Sequence, residues 1–408
     1  MNLVVSHKYS LALIVIGLVW LAFFDYATQM RLQDIIYPDS NSYRSAAENL
    51  YIHHRGDQYR PLVVSAIYGI PYLFGLGDSA VYEMAFWLNI VFWLGSILML
   101  FKILTRFCTD GRAFGLTLIF VFSVGNTAYV FHLLTETLFV LMMLGAFDLL
   151  LRYRRGGNPA LLTWALSILV LSILVRPGVQ FFVGFVLLVF VRDLWILRRQ
   201  PTMKVFYGSL AILLVQCIGL WYQCGNFTVS YIDAPTYYNY LGSRVEESKG
   251  NPPRDLGYIY SLEMPDQKRL AKADMMRHLT RDTDYFFRAY ESNLRENAVT
   301  GNTAIADCKN LAKRSWFMGD GFLTVSSIQN RIFSILGLLT ASVLLMFRRR
   351  FEPACGLVAI FVLYTILLSG ISNSQGDRFT LVTYPFTIMM IARLLIRPKR
   401  CAEPLQTA

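Results

Sequence analysis

Apolar residues in this chain gather in runs of about 16–22, separated by short charged clusters. A helix needs about 20 such residues to cross roughly 30 Å of hydrocarbon, so the runs predict membrane-spanning helices. Ten can be delimited, at residues 9–27, 81–104, 114–131, 135–151, 161–174, 179–194, 205–222, 332–346, 357–368 and 379–395. The fifth and ninth are short and are expected to extend into their flanks. Backbone groups in lipid must be bonded within the structure, which favours helices over lone strands. The first run reads as a retained helix, because Phe23-Phe24-Asp25-Tyr26-Ala27 offers no small-residue cleavage site.

Between the runs, two stretches are too long to be plain connections. Residues 26–80 form the first. Within it, Pro38-Asp39-Ser40 has turn and cap chemistry, and residues 40–50 place Tyr43, Ala46, Ala47 and Leu50 on one helical face. Asp39 then sits at a helix N-terminus, where the dipole favours its charge. Residues 60–75 are apolar but Pro-interrupted and short for a span, so they are read as lying in the outer interface. Residues 224–329 form the second stretch, with helical pattern near 266–279, 285–298 and 303–316 and a tyrosine-rich lead-in. The expected organisation is an N-terminal membrane region (1–223) holding the first outer loop, a large outer loop domain (224–329) and a C-terminal membrane region (330–408).

Composition agrees: of 408 residues, 55% are hydrophobic and 16% charged, against about a quarter charged in a soluble globule. Disorder, collagen and a small disulfide scaffold are excluded. The expected fold class is an all-α polytopic membrane protein with about ten spans, interfacial helices and a mostly helical outer loop domain. Alternate connections and the termini hold 18 of the 38 basic residues and five acids, so that side carries +13 of the total +11 and the other side −2. The positive-inside rule makes the basic side cytoplasmic, with both termini there. The pI of 9.3 thus reflects topology and gives no nucleic-acid signal. The large outer loop is neutral, with 13 basic and 13 acidic residues.

Charge near lipid is costly unless it faces a cavity or partner. Ionisable residues at the outer boundary are therefore candidates: Asp25, Asp34, Asp39, Arg60, Glu83, His132, Glu136, Arg176, Asp377 and Arg378. Arg60, Arg176 and Arg378 together make a set of cations suited to a lipid phosphate; each alone could also be a local ion pair or an interfacial anchor. Six cysteines show no metal-type spacing. Cys224 and Cys308 share the large loop and could pair or remain free thiols.

In order and topological side, these pieces resemble the GT-C glycosyltransferases, the set that includes protein mannosyltransferases and aminoarabinose transferases. The resemblance rests on Asp39–Ala47, Arg60-Pro61-Leu62, Leu73-Phe74-Gly75, Thr135-Glu136-Thr137-Leu138, Val175-Arg176-Pro177 and Asp377-Arg378-Phe379 with Tyr384-Pro385. It departs in having a lone Asp39 where many members carry Asp-Glu, and one Pro where Pro-Pro is common.

The resemblance implies transfer of a sugar, with inversion, from a polyprenyl-phosphate donor to a glycan, lipid or protein acceptor on the outer face. It implies Asp39 as general base, Glu136 and Asp25 as further acids, and Arg60, Arg176 and Arg378 on the donor phosphate. Tyr43, His132 and Asp377 are weaker candidates for sugar or acceptor contacts. A divalent metal at Asp39 plus Glu136 could be accommodated, but two acids supply no ligand geometry. No nucleotide fingerprint appears. The compact loops suit a bacterial inner membrane. The alternatives are an O-antigen-type polymerase, which would not need Asp39, and a lipid-linked glycan flippase, which would place charge deeper in its spans.

Overall fold

The computed structural model describes residues 2–30, 38–309, 316–347, 353–373 and 375–395. Its described residues form helices, turns and loops, with no strand. In chain order the α-helices are α1 (Asn2–Thr28), α2 (Pro38–Tyr51), α3 (Leu62–Tyr68), α4 (Ile70–Leu73), α5 (Asp78–Leu104), α6 (Asp110–Val121), α7 (Val124–Ala128), α8 (Glu136–Gly156), α9 (Pro159–Ile173), α10 (Gln180–Val189), α11 (Val191–Leu197) and α12 (Met203–Cys224). They continue as α13 (Asp233–Thr236), α14 (Ser243–Ser248), α15 (Met264–Arg281), α16 (Thr283–Val299), α17 (Thr303–Lys309), α18 (Trp316–Met346), α19 (Pro353–Leu368) and α20 (Tyr384–Leu395).

Each of the ten apolar runs is helical, but they are not ten equal spans. Among the described residues, six helices are long and apolar enough to cross a membrane, or eight if two bent pairs each count as one. The bent pairs are α6–α7, turned by 62°, and α10–α11, turned by 64°. The remaining two runs are α9, at 15 residues, and α8, which carries Glu136, Asp148 and a basic end. Both are largely buried inside the bundle, so protein rather than lipid surrounds much of their surface.

A break inside lipid must have its backbone groups bonded from elsewhere. At the α6–α7 bend a single side chain does this: Gln329 of α18 accepts from the Val124 N–H at 2.9 Å and donates to the Phe122 carbonyl at 2.9 Å. The bundle core lies deeper, where Phe147, Phe182, Phe361 and Phe386 bring α8, α10, α19 and α20 together. Their ring centroids are 5.0 Å apart for Phe361–Phe386 and 5.2 Å for Phe182–Phe361. Between membrane helices such packing acts through close van der Waals contact.

At the basic end of α5 and α8, buried Asp148 gathers Lys102, Arg106 and Arg152. At their other end lie Glu136 and α2, α3 and α4. These three form a short helical layer, and α3 and α4 meet at Gly69, so this segment is too short to span.

The segment after α12, expected on the outer side, has a small apolar core of Ala234, Tyr237, Leu241, Val245, Ala271 and Ala289. Polar contacts supplement it. Glu246 of α14 meets His278 of α15 at 2.8 Å and Arg277 at 2.6 Å, while Arg254 meets Asp274 at 2.6 Å. The possible Cys224–Cys308 pairing involves the Cys308 side chain, and Asp34 is the other candidate that lies outside the described residues.

Candidate active site

The site is assembled from four separated stretches. The first turn of α2 supplies Asp39, held where the helix dipole favours a carboxylate. The loop before α3 supplies Arg60, whose backbone N–H donates to Asp57 Oδ1 at 2.7 Å. Its guanidinium donates to Asp39 Oδ1 at 2.7 Å and to Ser42 Oγ at 2.8 Å. It also lies over the Tyr43 ring, 4.4 Å from the centroid. Tyr43 is therefore a buried floor beneath Arg60.

Glu136 opens α8 and is 1% exposed. Its turn is pinned by buried Asn89 of α5, which donates to the His132 carbonyl at 2.7 Å and accepts from Thr137 and from Tyr68, each at 2.7 Å. His132 is buried in this same turn, so its backbone serves the pinning.

Arg378 completes the centre. Its Nε donates to Glu136 Oε1 at 2.6 Å, and its Nη1 donates to Asp39 Oδ2. Arg176, in the turn after α9, donates to the Arg378 carbonyl at 3.3 Å and lies 3.7 Å from Glu136 Oε1. Phe139 and Phe379 flank its guanidinium at 5.8 and 5.3 Å. Within these five described side chains three guanidiniums face two carboxylates, an excess of one positive charge in that set; Asp377 lies next to it and is counted apart.

Burial by itself pushes the Asp39 carboxyl up. Arg378 and Arg60 outweigh that and hold it well below the usual carboxylate range. Both its oxygens are engaged, so as it stands Asp39 is a poor base.

Asp377 is 1% exposed and takes a different position from its neighbour. Asn302 donates to its Oδ1 at 2.9 Å, and its Oδ2 is buried without a hydrogen-bond partner. Gly125 makes room, since a Cβ there would overlap this carboxylate. Gly376 has a φ of +56° and presses on the Gly301 carbonyl, so it needs glycine on both counts.

A buried amide network fixes this loop to the outer domain. Asn297 donates to the Ser369 and Ser372 carbonyls at 2.9 and 2.5 Å, and Asn293 to Gly370 at 3.0 Å. Asn330 donates to the Asn297 and Thr300 carbonyls at 2.6 and 2.8 Å. Sequence reasoning missed Asn89 and these amides. The available signal was a lone asparagine within an apolar run, at Asn89 and near Asn330.

Thus the structure brings Asp39, Arg60, Glu136, Arg176 and Arg378 into one cluster, with Tyr43 beneath and Asp377 beside it. Asp25 lies in the last turn of α1, and among the described contacts its side chain is not one that meets Arg378.

A divalent ion shared by Asp39 and Glu136 does not fit, because the Arg378 guanidinium fills the space between the two carboxylates. A second group, Glu246, Asp274 and His278, brings ligand-type atoms within 4.8 Å of one another. Arg254, Arg277 and Lys249 already pair with its acids. This group acts as an ionic staple between α14 and α15.

The described arrangement is that of a helical membrane protein with an arginine-rich acidic centre at one end of its bundle. In fold, the chain is similar to the oligosaccharyltransferase of Archaeoglobus fulgidus in its apo form. The TM-score is 0.52 at 12% identity, over 94% of this chain and 50% of that one, so the chain spans about half that structure's length. No protein-family model and no curated protein matches the chain.

Proposed function

We propose that the protein is an inverting glycosyltransferase that moves a sugar from a polyprenyl-phosphate donor to an acceptor on the outer face of a membrane. One observation carries the reading: Arg378 joins Asp39 and Glu136, with Arg60 and Arg176 beside them, in one cluster. The fold likeness to a glycosyl-transferring enzyme supports it.

The donor phosphate competes with Asp39 for Arg378 and Arg60. When it takes those guanidiniums, the carboxylate loses the cations that keep it acidic, and burial then raises its basicity. The acceptor hydroxyl attacks the anomeric carbon from the face opposite the phosphate. Its proton passes to Asp39 as the new C–O bond forms. The anomeric C–O bond to phosphate breaks, and its electron pair leaves on the phosphate oxygen, where Arg60, Arg176 and Arg378 stabilise it. Glu136 stays paired and orients Arg378.

Charge counting favours a monophosphate donor. A phosphodiester carries one negative charge, which cancels the excess. After transfer the lipid phosphate carries up to two, and protonation of Asp39 leaves the cluster with two positive charges. A pyrophosphate would leave negative charge uncompensated in a low-dielectric place.

The test is Asp39→Asn with a labelled polyprenyl-phosphate sugar and a membrane extract as acceptor source. The expected result is a loss of turnover of roughly 10²–10⁴-fold. Near-normal turnover would remove Asp39 as base and return the carrier and polymerase readings.

A further inference from the structure

Aromatic side chains on a water-facing domain are usually covered. On the outer domain a short turn breaks this habit. Ile259 is fully buried and pins the turn, while Tyr258 and Tyr260 on either side are 47% and 54% exposed. Tyr260 meets Tyr59 edge to face, with ring centroids 5.9 Å apart and planes at 70°.

Tyr59 is held firmly. Its hydroxyl donates to Gln267 Oε1 of α15 at 2.9 Å, and its carbonyl accepts from Ser230 Oγ at 2.6 Å. Gln267 is fully buried and donates in turn to the Leu262 carbonyl at 3.0 Å. The next residue, Arg60, reaches Asp39 at 2.7 Å. Two rings thus lie next to the residue that reaches the carboxylate, and Tyr260 lies within electrostatic range of both Arg60 and Asp39.

We propose that the Tyr59–Tyr260 shelf is a subsite for a carbohydrate ring of the acceptor, on the water side of Asp39. This rests on the transferase reading above and extends it to the acceptor's chemical class. A pyranose offers a flat C–H face that packs on an aromatic ring, and hydroxyls at its edge that match phenol oxygens.

The choice of occupant follows from what surrounds the shelf. A prenyl chain calls for aliphatic surface, which lies elsewhere, at exposed Leu73, Phe74 and Leu76 at the end of α4 and just beyond it. The donor's phosphate is drawn to Arg60, Arg176 and Arg378. The shelf itself is built by outer-domain residues and the loop entering Arg60, and its exposed members are phenols. An acceptor hydroxyl must reach Asp39, and a ring seated on Tyr59 and Tyr260 brings it there beside Arg60.

The experiment uses the full chain in detergent and saturation-transfer NMR. The probes are free di- and trisaccharides of hexoses and N-acetylhexosamines. At least one probe should show saturation concentrated on the C–H protons of a single ring face. Tyr260→Ala should cut that signal at least fivefold, and Tyr260→Phe should keep most of it. Saturation from no probe, or signals unchanged in Tyr260→Ala, would overturn the subsite. Because Ile259 holds the turn, the melting temperature of Tyr260→Ala should match the wild type. A separate titration with labelled polyprenyl-phosphate sugar tells the two readings apart. Donor that binds normally while Tyr260 proves irrelevant removes the shelf alone; donor that fails to bind wild-type protein removes the transferase reading.

Discussion

Arg378 and Asp39, 339 positions apart in the chain, share a hydrogen bond at the centre of the site. The same guanidinium holds Glu136 through its Nε at 2.6 Å. A group that bridges two acids cannot also give its full donor set to a phosphate, so the bridge and the bound donor compete. Asp39→Asn weakens the competitor. We expect this variant to bind labelled polyprenyl-phosphate sugar at least as tightly as wild type while losing turnover, as read by equilibrium binding beside a rate assay. Weaker donor binding in the variant would show that Asp39 holds the donor directly.

Removing Arg378 should harm both stability and binding. Arg378→Ala leaves Asp39 and buried Glu136 facing each other without the cation between them. Breaking a buried ion pair from one side costs about 3–5 kcal/mol. A melting temperature well below wild type and loss of donor binding are the expected outcomes. Arg378→Lys should recover stability in part and activity little, since a single ammonium cannot reproduce the two-sided fork.

Gly125→Ala probes the seat of Asp377. The added methyl overlaps the Asp377 carboxylate, so the loop carrying Arg378 has to shift. Overpacking of this kind costs typically about 1–3 kcal/mol. Turnover should fall together with thermal stability, because the Asp377 loop also carries Arg378. An active, equally stable variant would show that this loop has room to spare.

The outer domain supplies a pH test. Burial works against the charge of Glu246, but hydrogen bonds from His278 and Asn251 and the charges of Arg277 and Lys249 bring its pKa from 4.5 to about 2. A carboxyl whose folded pKa is depressed contributes stability that is complete above its unfolded value. That contribution is lost as pH falls through the folded value. Glu246→Gln should therefore open the outer domain to protease more readily than wild type at pH 6. The gap between the two should close between about pH 4.5 and 2. A gap that persists unchanged at pH 2 would assign the effect to shape and not to charge.

Much of the centre was legible in the sequence because lipid makes charge expensive. Asp39, Arg60, Glu136, Arg176 and Arg378 stood out as ionisable residues at one membrane boundary, and the structure gathers all five. Asp25 satisfied the same rule, since hydropathy gives depth and not azimuth around the bundle. The short helices near Asp39 and Arg60 and the helices α15 and α16 were readable from periodicity and caps. The bend between α6 and α7 was not, since nothing at Phe122-Ser123 announces a break. The backbone groups it frees are bonded by Gln329, some two hundred positions away. The buried amides at Asn293, Asn297 and Asn302 escaped for a related reason: in a charged loop an asparagine looks solvated until its partner carbonyls are known.

Gln329 and Asn330 are neighbours on α18, yet they grip different walls. The first closes the gap between α6 and α7, and the second clasps the Asn297 and Thr300 carbonyls at the end of α16. Any tilt of α18 would therefore pull on both at once, like a tie rod between two shutters. Among the described residues, the seat of Asp377 beside Gly125 and the stretch from Asn297 to Thr300 are thus tied to one helix, and a shift in either reaches the other through α18.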